Sequence, residues 1–130
     1  ALASSDNASL LVFSGGETRT NAGPRSEASS YWEAAAALDW FGSPGVGSRA
    51  LLEVQARDSL ENLLFSLCRF RQASGRYPSH VTVVSFAFKR RRFVELKHRS
   101  RSRQTLLSSV SSFARARVFY LVSINYLKMR

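Results

Sequence analysis

Ser9-Leu10-Leu11-Val12-Phe13, followed at once by Ser14-Gly15-Gly16, decides the fold class. The apolar run is too short for a helix and lacks polar alternation, which predicts a strand buried on both faces that leaves through a tight turn. Such strands belong to parallel sheets layered between helices. Working outward, Pro24 stands where a helix can begin, Ser26 to Leu38 is rich in Ala, Glu and Trp, and Gly42-Ser43-Pro44-Gly45 ends that helix. Leu51 to Gln55 reads as a short strand. Asp58 opens the best helix in the sequence, with Leu60, Leu63, Leu64, Leu67 and Cys68 at helical spacing and Gly75 closing it. After the turn Gly75-Arg76-Tyr77-Pro78, the β-branched run Val81 to Phe86 predicts a second buried strand. Strand, helix, helix, strand implies crossover connections and a parallel sheet.

At 130 residues and 45% apolar, the chain suffices for one domain with a real core. No run approaches the length of a membrane-spanning helix, and no basic segment followed by an apolar one marks the N-terminus, so neither a span nor a signal peptide is expected. With Cys68 the single cysteine, the cytoplasm is the default compartment. Cys68 itself, on the apolar stripe of its helix, is expected to be a buried packing residue. His80 and His98 have no partner at ligand spacing, so no structural metal is expected.

The formal charge of +10 is unevenly placed: residues 1–65 carry 4 basic and 8 acidic side chains, residues 66–130 carry 15 and 1. Beyond Glu95 the character changes again. Leu96 to Arg130 holds no acid, and no Gly or Pro follows Pro78. Val118 to Leu121 is apolar enough for a strand, and Leu106, Leu107, Val110 and Phe113 suit one face of a helix. The division expected is therefore 1–95 as an α/β domain and 96–130 as a basic, Ser/Arg-rich tail. The window Val118 to Val122 would add itself to an open sheet edge or drive aggregation, with the second outcome favoured for want of turn chemistry after Arg99 to Arg103.

Three stretches together resemble the YdcF/SanA/ElyC-like family of unknown function, especially its eukaryotic branch. They are Leu11 to Gly16 with Thr18-Arg19 and Ala22 to Ala28; Ala56 to Asn62; and Val81 to Ser85 running into Phe88 to Phe93. The resemblance implies a Rossmann-like three-layer α/β domain with a parallel sheet, incomplete at both ends, the family's first strand being expected upstream of Ala1. It also implies a site at the carboxyl ends of the strands, where open α/β sheets take their ligands. Where many bacterial members have a histidine and then an arginine, this chain has Lys89 and Arg92, so a fixed cation stands in place of an imidazole.

Each site residue has a bland reading beside the functional one. Ser14, Gly15 and Gly16 are a strand-ending turn or ligand-binding residues, the free N–H groups of the glycines meeting a phosphate or carboxylate. Glu27 is a dipole-stabilised first-turn acid or a carboxylate for a ribose hydroxyl or a proton. Asp58 and Glu61 fit a capping box, which leaves Asn62 unexplained; the resemblance makes Ser59, Glu61 and Asn62 pocket residues. Lys89 to Arg92 is a solvated charge run or supplies one cation, Arg92, over an anionic ligand. The function expected is binding of a small anionic or nucleotide-like molecule, S-adenosylmethionine or a phosphorylated metabolite, between Gly15-Gly16, Glu61-Asn62 and Arg92. A hydrolase or transferase would fit, but no motif fixes a reaction. The alternative is a nucleic-acid or anionic-membrane binder acting through the basic half, with Phe113, Phe119 and Tyr120 for stacking or insertion.

Overall fold

The computed structural model describes residues 9–17, 23–92 and 95, together with the backbone of 117–121. Its strands are β1 (Leu10–Ser14), β2 (Ala50–Glu53), β3 (His80–Val84) and β4 (Arg117–Leu121), and its helices α1 (Glu27–Ala37), α2 (Asp39–Gly42) and α3 (Ser59–Ser74). The four strands form one sheet of order β2-β1-β4-β3 in which every pairing is parallel. Residues 18–22, Phe93, His98, Arg99 to Arg103, the stripe Leu106, Leu107, Val110 and Phe113, and Val122 lie outside the described residues.

Alternation along β1 divides the core in two. Leu10 and Val12 face the side occupied by α3, joining Phe70, Leu51, Leu63, Val81 and Val83. Leu11 and Phe13 face the side occupied by α1, joining Ala28, Ala35, Trp32, Trp40 and Leu52. Helices thus cover both faces of a parallel sheet, which explains the unbroken apolar run of β1. Val12 is 0% and Phe13 2% exposed, and each such side chain contributes about 1.5–3 kcal/mol by leaving water.

The helices begin and end where expected. Ser26 caps α1, its Oγ accepting from Ser29 N at 3.0 Å. Asp58 caps α3, and Gly75 closes it in the left-handed conformation at φ 74°. What differs is the face α3 presents. Ser59, Asn62, Ser66 and Phe70 are buried, whereas Leu60 is 43% and Leu64 47% exposed and Cys68 is exposed too. The leucine stripe therefore points largely outward, and Cys68 is not the buried packing residue its spacing suggested. The helix is turned so that Asn62 reaches the end of β1 while Phe70 fills the apolar space beside Val12.

Between α1 and β2 the chain makes one left-handed turn, with positive φ at Asp39, Trp40 and Phe41. Bulky residues rarely sit there. Trp40 is held by an edge-on contact with Trp32 at 5.7 Å and a tilted one with Phe13 at 6.3 Å. Gly47 makes room for it, since a Cβ at that position would stand 2.6 Å from Trp40 Nε1.

The late strand forms where its apolar residues predict one, but its place in the sheet differs from the expected edge. Arg117–Leu121 does not extend an edge; it lies between β1 and β3, with Leu10 opposite Val118 and Val84 opposite Leu121. Removing residues 96–130 would take the ladder partner from both neighbours and split the sheet. A chain ending at Glu95 is accordingly expected to lose cooperative unfolding and solubility; a thermal melt followed by circular dichroism that stays cooperative for the truncated chain would contradict the central position of β4.

Candidate functional site

All strands being parallel, their carboxyl ends share one edge of the sheet. The connection from β1 runs one way to β2, and β4 lies on the other side of β1, so the topological switch point falls between β1 and β4. Ser14 ends β1 beside that point. Its hydroxyl, wholly buried, contacts the carboxylate of Glu53 at the end of β2 and Asn62 Oδ1 at 2.9 Å on the first turn of α3. A hydroxyl carries one proton, so two acceptors compete for it. Glu53 is 6% exposed, and its other oxygen accepts from the N–H groups of Gln55 at 2.6 Å and Ala56 at 3.0 Å. One buried carboxylate thereby fixes the end of β1 and the loop from β2 to α3.

Ser14 and Asn62 were expected here and are brought together. Glu53 was not assigned a role from sequence. The available signal was an acid inside the apolar run Leu51-Leu52-Glu53-Val54, since a carboxylate in a strand with both faces covered needs dedicated donors.

The glycine pair is placed at the switch point, yet its amides are occupied. Gly15 N–H donates to Glu53 O at 3.0 Å and Gly16 N–H to Ala56 O at 2.7 Å, while the carbonyls of Gly15 and Gly16 accept from Ala28 and Glu27, at 3.0 and 3.1 Å. The free N–H groups expected for a phosphate are therefore absent at these two residues. The glycines serve close approach: a Cβ on Gly16 would stand 2.8 Å from Ala56 O, and one on Gly15, at φ +150°, 3.0 Å from Glu27 Cβ. Glu27, half-buried, thus packs directly over Gly15 at the start of α1.

On α3, Ser59 is buried and Asp58 Oδ1 accepts from Leu60 N at 2.8 Å and Glu61 N at 2.9 Å. Glu61 does not complete the box on Asp58. It reaches one residue further back, to Arg57 N at 2.8 Å and to the Arg57 guanidinium at 2.6 and 3.1 Å. The hydrogen bond from that guanidinium, with the backbone bond, holds the Glu61 carboxyl below its ordinary value of 4.5, and Glu61 in turn raises Arg57. Glu61 therefore turns toward its own helix start, whereas Asn62 turns inward.

Lys89 and Arg92 follow β3 at the same edge of the sheet. Lys89 lies with Nζ 5.8 Å from the Phe86 ring centroid, and Arg92 is exposed. No hydrogen bond or ion pair among the described residues joins either to the Ser14 cluster. Among the described residues no group of three or more His, Cys, Asp or Glu is placed to hold a metal ion, and no helix is long and apolar enough to cross a membrane. A cavity of about 370 Å³ opens instead beside the free edge of β2, between Leu52, Val54, Phe65, Cys68 and Arg69, and none of the expected ligand residues lines it.

No family model matches the chain, and no solved structure matches it. Over 48 residues it is 35% identical to the uncharacterized protein YOR238W of Saccharomyces cerevisiae, a match that covers 37% of this chain and 16% of that protein.

Two predictions follow from the geometry. Glu53→Ala leaves two backbone N–H groups without their acceptor and the Ser14 hydroxyl with Asn62 alone, and the unfolding free energy is expected to fall by about 2–4 kcal/mol, at roughly 1–3 per buried donor with part regained by water; urea denaturation measures it. Glu61, with its folded-state pKa depressed, adds stability above its unfolded value that is lost as pH falls through the folded value. Arg57→Ala is expected to return the Glu61 carboxyl toward its ordinary value, read from its NMR titration, and to remove that share of the acid dependence.

Proposed function

We propose that this chain carries most of a YdcF/SanA-like domain of Rossmann-like three-layer type, and that it binds a small anionic or nucleotide-like molecule outside the carboxyl ends of its strands. The observation that carries the reading is the switch point between β1 and β4, with the buried Ser14–Glu53–Asn62 cluster on one side and the cations after β3 on the other. The cluster fixes two loops through the Ser14 hydroxyl, the Glu53 carboxylate and Asn62 Oδ1, so Ser14 shapes the crevice instead of touching the ligand. The charge recognition falls to side chains: Arg92 for a phosphate or carboxylate, Glu27 for hydroxyls.

S-adenosylmethionine and a phosphorylated metabolite are the two ligand types this arrangement suits, and no residue pair defines a reaction. The other reading, a nucleic-acid or anionic-membrane surface in the basic half, rests mainly on residues beyond Glu95 and predicts affinity that falls steeply with salt. Thermal-shift measurements with both ligand types on the wild-type chain and Arg92→Ala test the proposal. A ligand-dependent rise that shrinks in the variant is expected; a folded protein with no shift for either ligand would sink it.

A further inference from the structure

The segment after β3 presents an aromatic pair and free cations together. Phe86 and Phe88 stack with ring centroids 5.3 Å apart and planes 14° from parallel. Phe88 is 70% exposed, so the ring face turned away from Phe86 is open to solvent. A stacked pair with one open face is a platform that a third flat ring can continue.

The charges around it are sorted. Lys89 sits over the Phe86 ring, and Arg91 pairs with Glu95 at 2.9 Å. Arg90 and Arg92 are exposed and have no ion-pair partner among the described residues. The chain is helical from Ala87 through Arg92, which sets Phe88 and Arg92 about one turn apart. That separation is of the order of the distance between the base and the 5′-phosphate of a nucleotide. Arg92 offers the forked donors a phosphate takes, and the occupied amides of Gly15 and Gly16 leave that task to side chains. Neighbouring strands lie about 4.8 Å apart, so the end of β3 is roughly 10 Å from the end of β1, within the span of one nucleotide.

From this juxtaposition, and resting on the anion-binding reading above, we infer that the ligand is a free nucleoside phosphate whose base stacks on Phe88 and whose phosphate is held by Arg92. The base and the phosphate each contribute. S-adenosylmethionine, which has the base without the phosphate, binds less well, and so does a sugar phosphate, which has the phosphate without the base.

Calorimetric titration of the full chain with AMP, adenosine, ribose 5-phosphate, S-adenosylmethionine and an oligodeoxyadenylate tests it. AMP is expected to bind tightest, with Phe88→Ala weakening it by about 10-fold or more and Phe88→Trp retaining it; Phe88 is exposed, so neither change reaches the core. Arg92→Ala is expected to weaken AMP and leave adenosine unchanged. Ribose 5-phosphate binding as tightly as AMP, with Phe88→Ala silent, overturns the stacking while leaving an anion site. Affinity that grows with oligonucleotide length overturns the free nucleotide in favour of a strand. Binding of no anionic molecule at all removes both this inference and the reading beneath it.

Discussion

One carboxylate holds the carboxyl edge of this sheet together. Glu53 is buried at the end of β2, accepts from the loop that follows it, and takes the hydroxyl of Ser14 at the end of β1. A buried carboxylate is costly unless its oxygens are satisfied, so the loop from Val54 to Ala56 and the end of β1 have to come to it. Once they do, the rest of the turn is determined. Gly16 lies close enough to Ala56 for its N–H to donate there, and no side chain larger than hydrogen fits. The carbonyls of the same glycines then receive the first N–H groups of α1. The glycine pair that reads as an anion cradle is spent on joining β1, α1 and the β2–α3 loop into one rigid edge.

That outcome shows where sequence reading reached and where it stopped. β1, β3, α1 and α3 were legible because their apolar runs, caps and glycine stops are local signals: Ser26, Asp58 and Gly75 each act within one turn of their own position. The rotation of α3 was not legible. Leu60, Leu64 and Cys68 form the stronger stripe, yet the buried face is set by Asn62, which reaches Ser14, and by Phe70, which fills the space beside Val12. Those partners lie far away in sequence. Glu53 escaped for the same reason, since its donors come from two separate segments. Gly15 and Gly16 were legible as a strand-ending turn or a binding turn and no further, because a pattern of small residues does not tell whether their amides face a ligand or a neighbouring loop.

The strand order carries a further consequence for the C-terminal half. Parallel strands bring their ends to one edge whatever their order, but only the interior position of β4 makes the order β2-β1-β4-β3 continuous. Leu10 finds its partner at Val118, from the opposite end of the described chain, so the sheet closes late and through a contact of high sequence separation. Until it does, the facing edges of β1 and β3 are unpaired and apolar, the condition under which strands seek other chains. The crowd of Lys and Arg in residues 66–130, with a single acid among them, works against that: like charges flanking an obligatory apolar strand keep unfinished chains apart. The basicity that reads as a nucleic-acid tail is therefore also what a sheet needs when its central strand comes last, and Arg92, standing exposed at the carboxyl edge ahead of that strand, belongs to the same crowd of charge.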